Sequence, residues 1–406
     1  MIETSLDDLL TSRAFLEDPY PTYRLLREKD PVHWSDAWGV WVLTRYDDTI
    51  TILRDAAQFS SVGRFSALLD QLPPEVQQDV EPLRRHYSSG LIQSDPPDHE
   101  RLRLLVRQAF TPRTIAGYRE RVQSIVDRLL EPLAETGEID IVRDFAFPLP
   151  VFVVSEMLGA PTDDLERVFR WHKAIGGLQA TGGAHEDRAR SAAEAIVDIE
   201  DYFDRLVAER RAAPTADLIS ELIAAQESGD RLSQAELISM CVTLLLAGHE
   251  TSKNLISNGT LSLLNHPDQR AALLDDPSLL PSTVEECLRY ESPIQRGWRR
   301  VPADTEIDGR QIKAGQLVYY MFGAANRDPA QFPDPDRFDV RRADNRHVAF
   351  GFGIHFCVGA PLARLEGAVA LDTLFRRFPS LELRQETIEW GDSVHVRCPR
   401  NLVVGI

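Results

Sequence analysis

Residues 350–359 read FGFGIHFCVG, and this stretch decides the fold. Gly351 and Gly353 allow a tight turn and the close approach of a flat ligand. His355 stands two places before Cys357, and Gly359 two places after it. The segment beginning at Cys357, CVGAPLARLEGAVALDTLFRRF, has apolar residues at helical spacing and predicts a helix from 357 to 378. A thiol at a helix N-terminus meets free N–H groups and a partial positive charge. That setting lowers a thiol pKa and favours a thiolate, which is either a nucleophile or a metal ligand. A lone cysteine is most often just a small buried residue. The fixed positions around this one argue for more.

The rest of the composition narrows the field. With a formal net charge of −18 over 406 residues, nucleic acid is not an expected partner. The four cysteines, Cys241, Cys287, Cys357 and Cys398, show neither zinc-ligand nor redox-dithiol spacing. They read as reduced thiols in a cytoplasmic protein. The acidic start, MIETSLDDLL, resembles neither a signal peptide nor an anchor, and no run of about 18 apolar residues predicts a membrane span.

The pattern along the chain predicts a mainly α protein with a small β-rich part, as one domain over residues 1–406. WGVWVLTR (38–45) reads as a strand, and QFSSV (58–62) as a second. Residues 61–97 are irregular, with room for one short helix. Helical spacing then covers 98–110, 118–137, 149–161, 162–175 and 188–211. One long helix runs from Ser233, its N-cap, to the stop before Pro267. Another lies between the prolines of 281–293. Strands with DG and AG turns return over 305–321, a proline-rich coil follows over 325–350, and short strands finish the chain.

Three further motifs carry chemistry. AGHET (247–251) interrupts the apolar run of the long helix. Gly248 costs about 1 kcal/mol against alanine there. Thr251 can turn its hydroxyl back to the Ala247 carbonyl and loosen the helix. Glu250 adds a carboxylate beside it. EECLR sets Glu286 and Arg289 at i, i+3 on one helix face, and DHERLR sets His99 and Arg103 at i, i+4 on another. Read singly, each is an ordinary solvated pair.

Together with the cysteine loop they resemble the cytochrome P-450 family. Residues 350–359 match every position of its haem-binding loop, F-G-x-G-x-H-x-C-x-G, including Phe350, Gly351, His355 and Gly359. The other motifs follow in the family's order, and the short chain resembles the soluble bacterial branch. The resemblance implies haem b with Cys357 as its axial thiolate, Ala247 and Gly248 beside the haem, and its carboxylates on His99, Arg103, His355 and Arg299. Arg299 is preferred to Arg300 on register alone. It implies that Glu250 and Thr251 relay protons during oxygen activation. It implies a buried structural triad of Glu286, Arg289 and Arg337. Leu244, Ala247, Ile294, Gln295 and Val394 would line the pocket of a mid-sized hydrophobic substrate.

The implied reaction is monooxygenation, with dioxygen and with electrons from NAD(P)H through ferredoxin reductase and ferredoxin. Arg101, Arg107, Arg113 and Arg346 would form the docking patch of a monomeric enzyme. Rival readings are a peroxide-driven haem-thiolate enzyme, a haem protein that only binds or senses a ligand, and a dehydratase or isomerase on the same fold. The intact Glu250–Thr251 pair argues against the first two.

Overall fold

The computed structural model describes residues 5–161, 165–227 and 232–406. The helix Gln234–Asn265 runs through its centre. Its 32 residues span about 48 Å at 1.5 Å per residue. It starts where the sequence predicts. The Ser233 side chain accepts from the Glu236 N–H, and the Glu236 side chain accepts from the Ser233 N–H. It ends before Pro267, which opens the helix Pro267–Asp275. The central helix is buried on most faces, because Pro148–Leu158, Glu186–Ala212, Leu280–Tyr290 and Ala360–Arg377 all pack on it.

The β part is peripheral. A four-stranded sheet has the order Val32–Ser35, Val40–Leu43, Leu317–Tyr320, Gly297–Arg300. The outer pairs are antiparallel and the middle pair is parallel. The hairpin Thr305–Ile307 with Arg310–Ile312 turns at Asp308 and Gly309, both at positive φ, as the DG signal predicts. A third sheet joins Glu138–Asp140, Val403–Gly405 and Glu382–Leu383.

Several expectations shift. In QFSSV only Ser60 pairs, with Arg300. Asp95 takes the Ser60 hydroxyl at 2.5 Å and the Ser61 N–H at 3.0 Å, so no ladder continues. The irregular stretch 61–97 contains two α-helices, Arg64–Leu69 and Glu81–His86, and two short 3₁₀ turns. The helix expected over 162–175 occupies Leu165–Leu178, and its expected first three residues lie outside the described residues.

Candidate active site

Gly351 and Gly353 sit at φ 72° and 70°, a region that side chains other than glycine's avoid. A Cβ on Gly353 would also stand 2.5 Å from the Leu53 carbonyl oxygen. The loop therefore lies flat on the helix Tyr46–Arg54. The Cys357 N–H donates to the Phe350 carbonyl at 2.9 Å, closing the turn. The Phe350 ring lies 4.6 Å from the Arg364 guanidinium, which Glu285 holds by two bonds of 2.6 and 2.9 Å. The following helix starts at Ala360, not at Cys357, because Phe356 is extended (φ −51°, ψ 132°). Even so, the N–H groups of Gly359 and Ala360 lie close enough to the sulfur to favour its ionised form. Cys357 is partly open to solvent, yet crowding by protein is the strongest influence on its sulfur. Burial raises the thiol pKa, and the two amides, Arg103 and Arg364 only partly offset it. A free thiol so placed is a poor nucleophile. A metal would deprotonate it outright.

Next to this loop lies a group of positive side chains. The His99 and His355 rings are 4.3 Å apart. His99 is buried with neither ring nitrogen hydrogen-bonded. His355 reaches Ser61 Oγ at 3.1 Å. Burial first, and then the charges of Arg299, His99, Arg64 and Arg103, hold His355 far below its ordinary pKa. Arg103 donates to the Phe356 carbonyl at 2.7 Å. Arg299 is buried and donates to the Tyr320 hydroxyl at 2.9 Å and the Trp298 carbonyl at 3.0 Å. Arg300 lies beside Gly63 and Gly315 instead. Arg64, which no sequence pattern marks, is buried here with its Nε unpaired. Burial, and then the Arg299 charge, pull its pKa down to about 10. The nearby Asp95 is occupied by Ser60 and Ser61.

On the central helix, the Thr251 hydroxyl donates to the Ala247 carbonyl at 2.9 Å. The helix nevertheless runs unbroken through 247–251. Gly248 sits in a tight place, since a Cβ there would lie 3.2 Å from the Val154 side chain. Glu250 does not face water. Its Oε1 meets His172 Nε2 at 2.8 Å and Lys253 Nζ at 3.6 Å. Burial alone would raise its pKa, but His172 and Lys253 hold it well below the carboxylate range. Of the two, His172 was not legible as a partner in the sequence, whereas Lys253 stands at i+3 on the same helix.

Comparison with known proteins places this arrangement. Residues 184–392 match the family model for cytochrome P-450. The chain is 41% identical to cytochrome P-450 107B1 of Saccharopolyspora erythraea, over 98% of this chain and 97% of that protein. It is 42% identical to the 6-deoxyerythronolide B hydroxylase of the same organism, over 97% of both. The solved structure of CYP109E1 from Bacillus megaterium in complex with testosterone superposes with a TM-score of 0.90 at 33% identity, covering 97% of this chain and 99% of that one. This chain belongs to the cytochrome P-450 family.

Cytochromes P-450 are monooxygenases that bind haem b through a cysteine thiolate, and the residues of this P-450 fit that group. A sulfur with two amides close by suits a ligated thiolate. The glycine turns leave room for a flat macrocycle. The positive cluster, with an unpartnered His99 among its arginines, suits two carboxylates.

Two expected assignments fail on geometry. Arg337 does not complete the Glu286–Arg289 pair. Its side chain is 64% exposed, and only its backbone carbonyl reaches Arg289. Arg342 takes the place, with Nε 3.1 Å from Glu286 Oε2. Five arginines crowd this coil, at 327, 337, 341, 342 and 346, and without a regular backbone their directions are not readable from spacing. Gln295 does not line the pocket either. It is buried, accepts from the Tyr23 hydroxyl at 3.2 Å and donates to the Ser292 carbonyl at 2.9 Å. Of the other expected lining residues, Leu244 is nearly buried and Ala247 exposed, one turn apart. Ile294 and Val394 are half-buried, Ile294 bridged to Val396 and Val394 bonded to the Ala180 carbonyl.

Proposed function

We propose that this P-450 inserts one atom of dioxygen into a mid-sized hydrophobic molecule, by hydroxylation or epoxidation, with residues 1–406 acting as one haem domain. The observation that carries this reading is the Thr251 hydroxyl on the Ala247 carbonyl, with the Glu250 carboxylate next to it. The names of its relatives, a 6-deoxyerythronolide B hydroxylase and a complex with testosterone, support a substrate of that size. Cys357 would hold haem b, which when bound supplies the oxidising power. His99, Arg103, Arg299 and His355, joined by Arg64, would balance its two carboxylates.

The protein's own part is to deliver protons and exclude water. Thr251 holds a proton at its Oγ, and must release the Ala247 carbonyl to direct it elsewhere. Glu250, ionised between His172 and Lys253, is a proton acceptor that returns what it receives. Thr251→Ala should keep consuming NAD(P)H and dioxygen while releasing more peroxide and less product. Glu250→Gln should slow turnover by about 10²-fold or more, the usual worth of such a group. Product and peroxide per NAD(P)H measure both. Unchanged coupling and rate in the two variants would mean that the pair is not the relay.

Electrons would come from NAD(P)H through a ferredoxin reductase and a ferredoxin docking near Cys357. Arg107 and Arg113 are exposed there, together with two exposed apolar residues, Leu104 and Phe356. Arg346 is exposed and pairs with Asp344. Arg101 drops out of the expected patch, since Glu236 and Asp98 engage it. Reduction by ferredoxin should slow as salt rises, because exposed charges are screened beyond about 8 Å at physiological ionic strength. A rate indifferent to salt, or to Arg107→Ala with Arg113→Ala, would rule this surface out. Among the described residues no helix is long and apolar enough to cross a membrane.

A further inference from the structure

Arg296 is a further buried cation with no acid paired to it among the described residues. It is 2% exposed. Its Nη2 donates to the Gln179 and Thr181 carbonyls at 3.0 and 2.6 Å. Its guanidinium lies 4.3 Å from the centre of the Tyr319 ring. Nε and Nη1 have no acceptor. Two carbonyls and an aromatic face offset part of the cost of burying this charge. Removing a charge from water still costs several kcal/mol unless an opposite charge meets it.

Two more polar groups stand beside it, each with an unused ring nitrogen. Trp298 is buried with its Nε1 unpaired, and His395 is half-buried with its Nδ1 shielded and unpaired. Their rings are 5.4 Å apart. The backbone brings them together, since the Gln295 N–H donates to the His395 carbonyl at 2.7 Å. Burial, and then the charge of Arg296, keep His395 neutral, with its pKa near 3.

This group adjoins the one that fits the haem carboxylates, since the Arg64 guanidinium lies 5.1 Å from the Trp298 ring, but it faces away from Arg299. Side chains alternate along a strand. Gly297 and Arg299 face Tyr320, whereas Arg296 and Trp298 face Tyr319. The Tyr319 face lies under the segment 179–182, where the Tyr319 hydroxyl donates to the Gly182 carbonyl. It adjoins Ile294 and Val394, which the sequence places in the pocket, and the charge of Glu250 reaches His395.

We propose that Arg296, with Trp298 and His395, binds the carboxylate of a monoanionic substrate, an inference that rests on the monooxygenase reading. One guanidinium balances one negative charge. The neutral indole adds a donor without adding charge, so a dianion such as a phosphate monoester would remain half-balanced. The substrate would then be an organic acid, mainly apolar, anchored by its acid end beneath 179–182 with its hydrocarbon part towards Leu244 and Ala247.

The test uses matched pairs on the haem-loaded full chain: benzoic acid and benzyl alcohol, decanoic acid and 1-decanol, myristic acid and 1-tetradecanol. Affinity is read by equilibrium dialysis and by the thermal shift, with no turnover needed. At least one acid should bind about tenfold more tightly than its alcohol, the worth of one charged hydrogen bond. Arg296→Gln should bring that pair to parity. Trp298→Phe, which keeps the ring and loses the donor, should cut the preference about threefold. An alcohol binding as well as its acid in every pair would overturn the proposal, as would a preference that survives Arg296→Gln. If Arg296→Gln does not fold, an unchanged preference in Trp298→Phe overturns it instead. The carbon monoxide spectrum of the same preparation tests the haem reading separately.

Discussion

Cys357→Ala should abolish the red-shifted Soret band that the reduced, carbon monoxide-treated wild type is expected to show, and should reduce turnover to background. The change removes one sulfur and little else. The bonds that shape the loop are from backbone to backbone, Cys357 N–H to Phe350 and Phe356 N–H to Gly353, and alanine keeps both. The glycine turns and the Arg364 contact to Phe350 stay as well. Loss of the band in a folded variant would therefore report the ligand itself. A thiolate ligand pushes electron density onto iron and favours cleavage of the oxygen–oxygen bond, so activity should disappear with the spectrum. An alanine variant that kept the band would place the ligand elsewhere. Cys241, Cys287 and Cys398, all buried, would then be the thiols to examine.

The largest stability effect should come from Glu286. Its carboxylate accepts from Arg289 twice at 2.8 Å, from Arg342 at 3.1 Å, from Asn345 at 3.1 Å and from the Asp339 N–H at 2.8 Å. Glu286 and Arg289 are fully buried. Glu286→Gln would strand the Arg289 charge in the interior and should cost about 3–5 kcal/mol. Arg342→Ala should cost about 1–3 kcal/mol, the usual loss for a charged hydrogen bond. Arg337→Ala removes an exposed side chain and should stay within about 0.5 kcal/mol. Urea unfolding midpoints of the three variants rank them. Equal losses for Arg337→Ala and Arg342→Ala would show that the network is not as drawn.

These two cases mark what was legible in the sequence. Helical periodicity and capping residues located the central helix to within a residue of each end, because a helix repeats its own spacing. The cysteine loop was legible because its glycines answer a backbone demand that few other residues meet. Side-chain direction in irregular backbone was not legible. Arg337 and Arg342 lie on the same coil with similar neighbours, and only the turns between them decide which points inward. Partners distant in sequence were equally hidden. Nothing near Glu250 in the chain announces His172, and nothing near Arg296 announces Gln179 or Thr181. Arg64 gave no signal, since a single arginine opening a six-residue helix has no period to break.

The parallel pairing of Val40–Leu43 with Leu317–Tyr320 also sets a clock for biosynthesis. Trp41, beside its strand partner Val318, donates its indole N–H to Gln316, a residue 275 positions later in the chain. A ribosome adding about 5–20 residues per second makes that partner roughly 15–55 s after Trp41. Throughout that interval the early hairpin has one edge with no strand to pair with. Such an edge invites other chains. Yield in a recombinant host should therefore depend on what shelters residues 32–43 during synthesis.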